Sequence, residues 1–314
     1  MVVDLRVDVG GLSLENPVMP ASGTFAEGLA ALVPFGKLGA LVTKTVTAEL
    51  REGNPVRRAA EVSSGVIWNI GIPSKGVDHF INATLPFYRQ FKTPLIISVS
   101  APTANGFAEI VERLAIPGIA AIEANISCPN LEENGDTFAA RPGATERVVR
   151  KLRKATRLPL WVKLTPNTGE VPAVARAAAD AGADALVVAN TILAMAIDIE
   201  TFRPKLGGIM GGLSGPAVKA IILRMTYQCA KSVKIPIVGC GGICSADDAV
   251  EYMLAGASAV QVGMATFVRP DSMLQIIEGL SAFCHRKGIK RVAELTGALR
   301  DGKPDIHAVE AAVA

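Results

Sequence analysis

The segment from Asn125 to Asn130 carries residue types that could move a proton. It reads Asn-Ile-Ser-Cys-Pro-Asn and follows a run of small and apolar residues, so Cys128 is expected just after the carboxyl end of a strand. A thiol titrates closer to neutral pH than a hydroxyl does, which makes Cys128 a candidate acid or base. The alternative is a small loop cysteine whose asparagine and proline neighbours favour a turn.

Two lysines stand at the ends of other apolar runs. Lys44 follows Leu-Val-Thr, and Lys163 follows Leu-Trp-Val. Lysines are rarely buried without a partner, so the pair predicts anionic or electron-rich ligands. Two other uses remain open, a Schiff-base lysine of the aldolase type and a side chain that simply reaches solvent.

Asparagines are the other polar residues near the predicted strand ends. Asn125, Asn130 and Asn190 can each donate and accept hydrogen bonds, which suits a planar ring that carries amides. No histidine or carboxylate occupies such a position, so hydrolytic triads and histidine metal sites are poorly supported. Cys240 and Cys244 are four residues apart without a histidine near them in sequence, and no metal site is expected.

The strands that must position these residues are short runs rich in Val, Ile, Leu and Ala. They are continuous apolar runs rather than alternating ones, which is typical of strands buried on both faces of a parallel sheet. The runs cover residues 18–21, 40–44, 95–98, 121–125, 160–163, 185–189, 235–239 and 259–263.

Helix-like stretches lie between the strands, at residues 77–91, 106–114, 145–156, 171–181, 215–233, 246–255 and 272–287. This alternation predicts an α/β fold, a (β/α)8 TIM barrel that forms a single domain over residues 1–314. Residues 3–9 and 11–14 predict a hairpin that closes the barrel bottom, with Gly10-Gly11 as its turn. An open doubly wound sheet is the alternative, but its usual Gly-x-Gly-x-x-Gly motif after the first strand is absent.

Glycine-rich turns follow the seventh and eighth predicted strands, at residues 239–243 and 263–265. Barrels often bind phosphate at this location, where freed backbone amides and a helix N-terminus face an anion. Ordinary β–α turns are the alternative. Long insertions at 45–94 and 131–143 follow predicted strands, so they belong to the C-terminal-face loops and are candidates for a lid.

The bulk composition narrows the class of protein. The chain has 314 residues, of which 50% are hydrophobic and 19% charged, so a large buried core is expected. The net charge of +3 comes without a basic block, which argues against a nucleic-acid surface. Neither a signal-peptide pattern nor a membrane-spanning run is apparent, and five cysteines without staple-like spacing favour a reducing compartment, so a cytoplasmic location is expected.

Ordered motifs connect the chain to a known family. They are Ala21-Ser-Gly-Thr-Phe, Thr43-Lys-Thr, Arg51-Glu-Gly-Asn-Pro, Asn125-Ile-Ser-Cys-Pro-Asn, Val162-Lys-Leu-Thr-Pro-Asn, Ala189-Asn-Thr, Gly211-Gly-Leu-Ser-Gly-Pro, Gly241-Gly-Ile and Leu254-Ala-Gly-Ala-Ser-Ala-Val-Gln-Val-Gly. Together they resemble the dihydroorotate dehydrogenases, FMN-containing (β/α)8 enzymes of pyrimidine synthesis. Within that family, a cysteine rather than a serine at position 128 resembles class 1. The run Ala265-Thr-Phe-Val-Arg-Pro resembles the sequences of subclass 1B.

The resemblance implies flavin-dependent oxidation of (S)-dihydroorotate to orotate. Cys128 would remove the C5 proton while the C6 hydride passes to FMN. The implied substrate-binding residues are Lys44, Trp68, Asn69, Ile70, Gly71, Ile72, Asn125, Asn130, Asn190 and Thr191. The implied FMN-binding residues are Ala21, Ser22, Gly23, Lys44, Thr45, Ser98, Asn125, Lys163, Ala189, Gly215, Gly241, Gly242, Gly263 and Met264.

The resemblance also implies partners. Subclass 1B pairs its FMN subunit with a separate electron-transfer subunit that carries FAD and a [2Fe-2S] cluster and uses NAD. The resemblance implies a homodimer core, which that subunit would extend to a heterotetramer.

The substrate loop departs from the family pattern Asn-x-x-Gly-Leu-x-Asn. Trp68, Ile72 and Ser74 stand where the pattern has asparagine, leucine and asparagine, and Asn69 fills the first role only after a local register shift. A related FMN oxidoreductase acting on another dihydropyrimidine or cyclic ene is therefore an alternative function. Two further alternatives are a cofactor-free lyase or aldolase that uses Lys44 or Lys163, and a flavin-binding subunit without turnover.

Overall fold

The computed structural model describes residues 2–127 and 136–300. Within them, one sheet contains eight strands, all paired in parallel. We number them barrel strands 1 to 8 in chain order: Val18–Pro20, Leu41–Val42, Leu95–Val99, Ala121–Asn125, Leu160–Lys163, Ala185–Val188, Ile237–Cys240 and Ala257–Val262. Barrel strand 8 pairs with barrel strand 1, and the others pair in chain order from 2 to 8. The predicted (β/α)8 barrel is confirmed.

The seam between barrel strands 1 and 2 is closed by backbone and by one buried asparagine. The Gly39 amide donates to the Val18 carbonyl at 2.9 Å, and Asn16 bridges the same region by donating to the Lys37 carbonyl at 2.9 Å. A Cβ on Gly39 would overlap the Asn16 carbonyl, so only glycine lets the two chains approach closely enough here.

Helices pack around the sheet. The α-helices are Val77–His79, Leu85–Tyr88, Ala104–Arg113, Pro142–Ala155, Val171–Asp180, Lys219–Ala230, Ala246–Leu254, Ala265–Val268 and Ser272–Lys287. Short 3-10 helices span Glu27–Ala31, Phe35–Lys37, Phe138–Ala140, Pro216–Val218 and Val292–Leu295. Gly182 and Gly256 follow the ends of their helices with φ values of +105° and +112°, as glycine caps before barrel strands 6 and 8.

The stretch predicted as one helix at 77–91 is a composite. Phe80–Thr84 forms a π-helical segment between the two short α-helices. Pro86 explains the widening, because it has no amide hydrogen and its ring crowds the carbonyl four residues earlier. The stretch at 215–233 is also shorter than predicted, since Gly215 has a φ of +103° and the α-helix runs only from Lys219 to Ala230.

The insertions contain strands that the sequence pattern did not reveal. Ala59–Val62, Gly65–Trp68, Gly211–Ser214 and Ile192–Ala194 form a four-stranded antiparallel sheet, called the small sheet below. Its central pairing joins residues about 146 positions apart, such as Val66 with Ser214, which no local pattern can indicate. Two further strand pairs are Leu50–Arg51 with Ser74–Lys75 and Ile197–Asp198 with Arg203–Pro204.

The predicted hairpin covers the opposite end of the barrel. Val7–Val9 pairs with Leu12–Leu14 around Gly10 and Gly11, whose φ values are +47° and +86°. Trp161 at the start of barrel strand 5 donates its indole N–H to the Gly10 carbonyl at 3.1 Å. Among the residues described, none of the helices combines the length and the apolar character that crossing a bilayer requires.

Candidate active site

The interior of the barrel holds a buried charged pair linked by an amide. Lys163 on barrel strand 5 is 3% exposed, and its Nζ donates to the Gln261 Oε1 at 3.0 Å. Gln261 on barrel strand 8 donates from Nε2 to the Glu123 Oε2 at 2.5 Å. The second oxygen of Glu123 lies 3.9 Å from the lysine Nζ. Barrel strands 4 and 5 thus place a carboxylate and an ammonium together inside the barrel.

Lys163 also faces the mouth of the barrel. Its Nζ lies 3.4 Å from the Ser22 Oγ, just after barrel strand 1. Cys240 on barrel strand 7 is a buried free thiol on the same network, and burial raises its pKa, so this cysteine is neutral at ordinary pH. Lys163 is therefore a buried cation whose nearest open direction is the loop at 21–23.

Lys44 lies in a different environment although it also ends an apolar run. Its neighbours Thr43 and Thr45 are buried and are fixed by Ser98, whose amide donates to Thr43 at 3.2 Å and whose hydroxyl lies 2.9 Å from that of Thr45. The Lys44 side chain is exposed and borders a cavity of about 530 Å³. The strand end is rigid, and the ammonium is free to meet a ligand from solvent.

Asn125 and Asn190 come together at the ends of barrel strands 4 and 6, and Ser127 joins them. Ser127 Oγ donates to Asn125 Oδ1 at 2.5 Å, and Asn190 Nδ2 donates to both Ser127 Oγ and Asn125 Oδ1, the latter at 3.3 Å. The Asn190 Oδ1 accepts from the Thr191 amide at 2.8 Å, and the Thr191 carbonyl accepts from Asn167 at 3.1 Å.

Ser127 and Asn167 contact the candidate site residues but were not among the residues predicted from the sequence. Both stand inside motifs of the chain, at Asn125-Ile-Ser and Leu164-Thr-Pro-Asn, so the signal was present in the sequence. Only the folded structure shows that Ser127 bonds to Asn125 and Asn190 and that Asn167 bonds to Thr191. Cys128 and Asn130, which follow Ser127 directly, lie outside the described residues.

Three glycines from two turns lie close together at the carboxyl ends of the barrel strands. Gly215, Gly241 and Gly242 have φ values of +103°, +155° and +70°. A Cβ on Gly242 would lie 2.9 Å from the Gly215 carbonyl oxygen, and one on Gly215 would lie 2.6 Å from the Met264 sulfur. Because these glycines have no side chain, the two turns can pack closely. Turns of this kind present backbone amides, which can bind phosphate.

Other elements hold this glycine cradle, by which we mean Gly215, Gly241, Gly242, Gly263 and Met264. The Tyr252 hydroxyl donates to the Gly241 carbonyl at 2.6 Å. Lys219 and Asp248, from the helices behind the Gly215 and Gly242 turns, form an ion pair at 2.7 Å.

The remaining candidate residues follow barrel strands 1 and 6. The Ala21 amide donates to the Val262 carbonyl at 2.8 Å, and Ala189 is buried with its amide bonded to the Cys240 carbonyl at 3.0 Å. Gly23 has a φ of +90° and no atom that a Cβ would meet within 4 Å, so the backbone there is open.

Trp68 lies at the end of a strand of the small sheet. It is opposite Gly212, where a Cβ would overlap the Thr191 hydroxyl, so this face of the small sheet is turned toward the end of barrel strand 6. The indole N–H donates to the Ser214 hydroxyl at 2.7 Å, and the ring centre lies 5.3 Å from that of Phe267.

Asn69 points to another loop. Its Oδ1 accepts a hydrogen bond from the Asn54 side-chain amide, and its backbone amide donates to the Arg58 carbonyl at 2.8 Å. Because successive residues of a strand face opposite sides, Asn69 does not share the face of Trp68.

The rest of the predicted substrate loop is fixed by the 51–58 segment. The Ile70 carbonyl accepts from the Asn54 amide at 2.9 Å, and the Gly71 carbonyl accepts from Arg51 Nε at 2.7 Å. Gly71 and Ile72 have φ values of +78° and +51°, and the second is unusual for a β-branched residue. The loop therefore has a definite shape that presents its backbone.

A parallel barrel with a glycine cradle, a buried lysine and an amide cluster at its C-terminal face is typical of (β/α)8 barrel enzymes. Residues 4–284 match the family model described as "Dihydroorotate dehydrogenase". The chain belongs to the dihydroorotate dehydrogenase family, as its motifs predicted.

The chain is similar to proteins named "Dihydroorotate dehydrogenase B (NAD(+)), catalytic subunit". The protein of Pelobacter propionicus is 45% identical over 302 residues, which cover 95% of this chain and 99% of the relative. That of Trichlorobacter lovleyi is 46% identical over 298 residues, covering 94% and 98%. That of Alkaliphilus metalliredigens is 42% identical over 299 residues, covering 95% and 99%. The resemblance to the B branch is confirmed.

Proposed function

We propose that this chain oxidises (S)-dihydroorotate to orotate with a bound FMN. The observation that carries the proposal is the arrangement at the barrel mouth. The glycine cradle, the buried Lys163 and the Asn125–Ser127–Asn190 cluster all follow or end barrel strands at their carboxyl ends, and Cys128 follows Ser127 in the sequence. The names of the relatives supply the substrate and the reaction.

The described residues fit FMN by their chemistry. The glycine cradle offers backbone amides where a Cβ would block approach, which suits the phosphate. Lys163 offers a cation at Ser22, which suits the electron-rich pyrimidine edge of a flavin. Ala21, Gly23, Thr45, Ser98 and Ala189 supply the small or hydroxylated surface between them. When bound, FMN supplies the electron sink that accepts a hydride.

The substrate is held by charge at one end and by amides along the ring. The exposed ammonium of Lys44 would pair with the carboxylate of dihydroorotate, and Pro73 and Ser74, which follow the predicted substrate loop, line the same cavity as Lys44. Asn125, Asn130, Asn190 and Thr191 would bond to the ring amides, which both donate and accept.

Cys128 is the base in this proposal. Its thiolate takes the proton from C5 of dihydroorotate as the hydride leaves C6, so that a carbon–carbon double bond forms and the thiol is left protonated. Ser127 holds Asn125 and Asn190 together one residue before the thiol. Small errors in the position of a base cost much rate, so this cluster sets the geometry of proton removal.

Trp68 changes how the substrate is held rather than which reaction occurs. The Trp68 indole N–H already donates to Ser214, and the Asn69 Oδ1 already accepts from Asn54, so the side chain of Asn69 is directed to the 51–58 segment. We infer that the carboxylate end relies on Lys44 and on the loop backbone.

The first experiment is anaerobic mixing of the FMN-loaded protein with dihydroorotate while the flavin absorbance is followed. Rapid bleaching supports the proposal. Dihydrouracil is the matched control, because it has the same ring and lacks the carboxylate that Lys44 would bind. Bleaching by dihydrouracil and not by dihydroorotate would favour the other dihydropyrimidine oxidoreductase, and a colourless protein that binds no FMN would refute both.

We also propose the partners that the resemblance implies. The phrase "catalytic subunit" in the names of the relatives supports an assembly with a second kind of subunit, here an electron-transfer subunit with FAD and a [2Fe-2S] cluster that uses NAD. Co-expression with such a subunit should give a complex in which NADH forms from dihydroorotate. Reduction of NAD by the isolated chain at the same rate would contradict this.

A second copy of this chain is the other proposed partner. Residues 193–210 carry large apolar side chains that are at least half exposed, which form what we call the apolar strip: Leu193, Met195, Ile197, Ile199, Phe202, Ile209 and Met210. Contiguous apolar surface of this kind marks an interface, and the resemblance implies a homodimer.

A further inference from the structure

Glu123 is a fully buried carboxylate that the proposed reaction does not use. It lies in the middle of barrel strand 4 with 0% exposure, between Ser98 and Trp161 on the neighbouring strands. Burying a charge away from water is costly unless an opposite charge and hydrogen bonds compensate it. A carboxylate in this position therefore must be stabilised by a specific partner.

Glu123 is linked to Lys163 through Gln261 and also lies close to the lysine itself. Gln261 donates to Glu123 Oε2 at 2.5 Å and accepts from Lys163 at 3.0 Å. A carboxylate only accepts and an ammonium only donates, so one orientation of the Gln261 amide satisfies both. Glu123 Oε1 lies 3.9 Å from Lys163 Nζ and has no hydrogen-bond donor among the described residues. Among the charged groups of the described residues, the lysine ammonium is the one recorded as an ion-pair partner of this carboxylate.

Three uncharged groups of the described residues also face Lys163. Ser22 offers a hydroxyl at 3.4 Å from the loop after barrel strand 1, and Gln261 on barrel strand 8 is a neutral amide. Cys240 on barrel strand 7 is held neutral, since burial raises the pKa of its thiol. Within the described part of the chain, Glu123 is thus the anion that offsets the buried ammonium.

We propose that Glu123 is a positioning residue that keeps Lys163 charged and directed at the barrel mouth. The inference rests on the proposed function, because its consequence appears on bound FMN. Reduction adds two electrons and one proton to FMN and leaves one negative charge. With Glu123 present, the ammonium already faces that charge. Without it, Lys163 is neutral beside oxidised FMN and takes up a second proton from solvent during reduction.

The test is the midpoint potential of the bound flavin in Glu123→Gln and in the unchanged protein between pH 6.5 and 8. Each proton taken up per two electrons lowers the midpoint by about 30 mV per pH unit, since a tenfold change in a two-electron equilibrium is worth that much. We expect one proton per two electrons in the unchanged protein and two in Glu123→Gln. A slope that does not change in Glu123→Gln overturns the inference.

Two further variants separate charge from packing. Gln261→Met disturbs the same buried cluster but keeps the carboxylate, so its slope should stay at one proton. Lys163→Met combined with Glu123→Gln removes both charges, and relative to Lys163→Met alone its slope should not change. The double variant also avoids a lone buried lysine, so it keeps the test open if Glu123→Gln folds poorly. A slope change in Gln261→Met, or one caused by Glu123→Gln without Lys163, would refute the role.

Failure of the inference differs from failure of the proposed function. If the unchanged protein retains no FMN, the proposed function fails before any potential is measured. If it binds FMN and takes up one proton, but Glu123→Gln does the same, only the role of Glu123 is lost.

Discussion

Lys44 and Lys163 look alike in sequence, since each ends an apolar run, but they occupy opposite environments. Lys163 is enclosed and neutralised by groups from barrel strands 4 and 8, whereas Lys44 is exposed on a rigid strand end. The first is suited to a resident group whose charge changes, and the second to a substrate that arrives from solvent. The same residue type therefore serves two purposes that depend on what faces it.

The base assignment is tested by Cys128→Ala. We expect FMN to be retained and the rate of anaerobic flavin reduction by dihydroorotate to fall by about 10²–10⁴ at neutral pH, the usual contribution of a positioned base. Cys244→Ala is the control, because Cys244 is an exposed free thiol outside the proposed base position. Equal reduction rates in Cys128→Ala and Cys244→Ala would remove Cys128 from the mechanism.

The contribution of Trp68 is tested by Trp68→Asn against Trp68→Phe. The phenylalanine keeps a ring against Phe267 and loses only the bond to Ser214, whereas the asparagine adds an amide on the face turned toward Thr191. We expect orotate to bind roughly tenfold tighter to Trp68→Asn, since a bond to a charged group is worth about 1.5–3 kcal/mol. Flavin difference spectra give both affinities, and equal values would show that position 68 does not meet the ligand.

At the scale of elements, two helices brace the glycine cradle. Lys219 begins the helix behind Gly215, and Asp248 lies in the first turn of the helix behind Gly242. Burial acts to raise the pKa of Asp248, but hydrogen bonds from Lys219 and the Cys244 amide outweigh it and hold the pKa below 3.8. The Asp248 hydrogen bond raises the pKa of Lys219 above 10.5. Each charge is stabilised by the fold.

The sign of the pH dependence follows from these directions. A depressed folded pKa gives stability that is present above the unfolded value and is lost as the pH falls through the folded value. Asp248→Asn should therefore lower the free energy of unfolding by about 1 kcal/mol at pH 7, and the deficit should shrink below pH 3.8. Urea unfolding at several pH values measures this loss of stability. A loss that stays the same below pH 3.8 would show that it comes from altered packing and not from the charge of Asp248.

At the scale of the whole molecule, the barrel supplies a rigid mouth and the insertions supply the surfaces around it. The small sheet joins the insertion after barrel strand 2, which carries Trp68, to the insertion after barrel strand 6, which carries the apolar strip. The proposed site and the proposed interface therefore share this sheet.

The proposed self-association is tested by Phe202→Asp. Phe202 is 90% exposed, so the change should leave the fold intact while it places a charge in the apolar strip. We expect sedimentation or light scattering to move from dimer toward monomer. Leu32→Asp is the matched control, since Leu32 is 63% exposed and lies outside the strip. If both variants remain dimers, the apolar strip is not the interface.

The amino-acid sequence by itself determined the barrel and the kind of site. Continuous apolar runs require strands that are buried on both faces, and glycines such as Gly182, Gly215 and Gly242 mark backbone conformations that other residues rarely adopt. Lys44, Lys163, Asn125 and Asn190 were placed at strand ends by the same reasoning. These features are local, and local pattern is what a sequence displays.

The tertiary structure decided what each of these residues meets. Four contacts join residues that are apart in sequence. They are the pairing of Gly65–Trp68 with Gly211–Ser214, the hydrogen bond from Asn190 to Ser127, the hydrogen bond from Asn54 to Asn69, and the burial of Glu123 beside Lys163. Their energies depend on burial and on direction, which arise only when the strands close around a common axis.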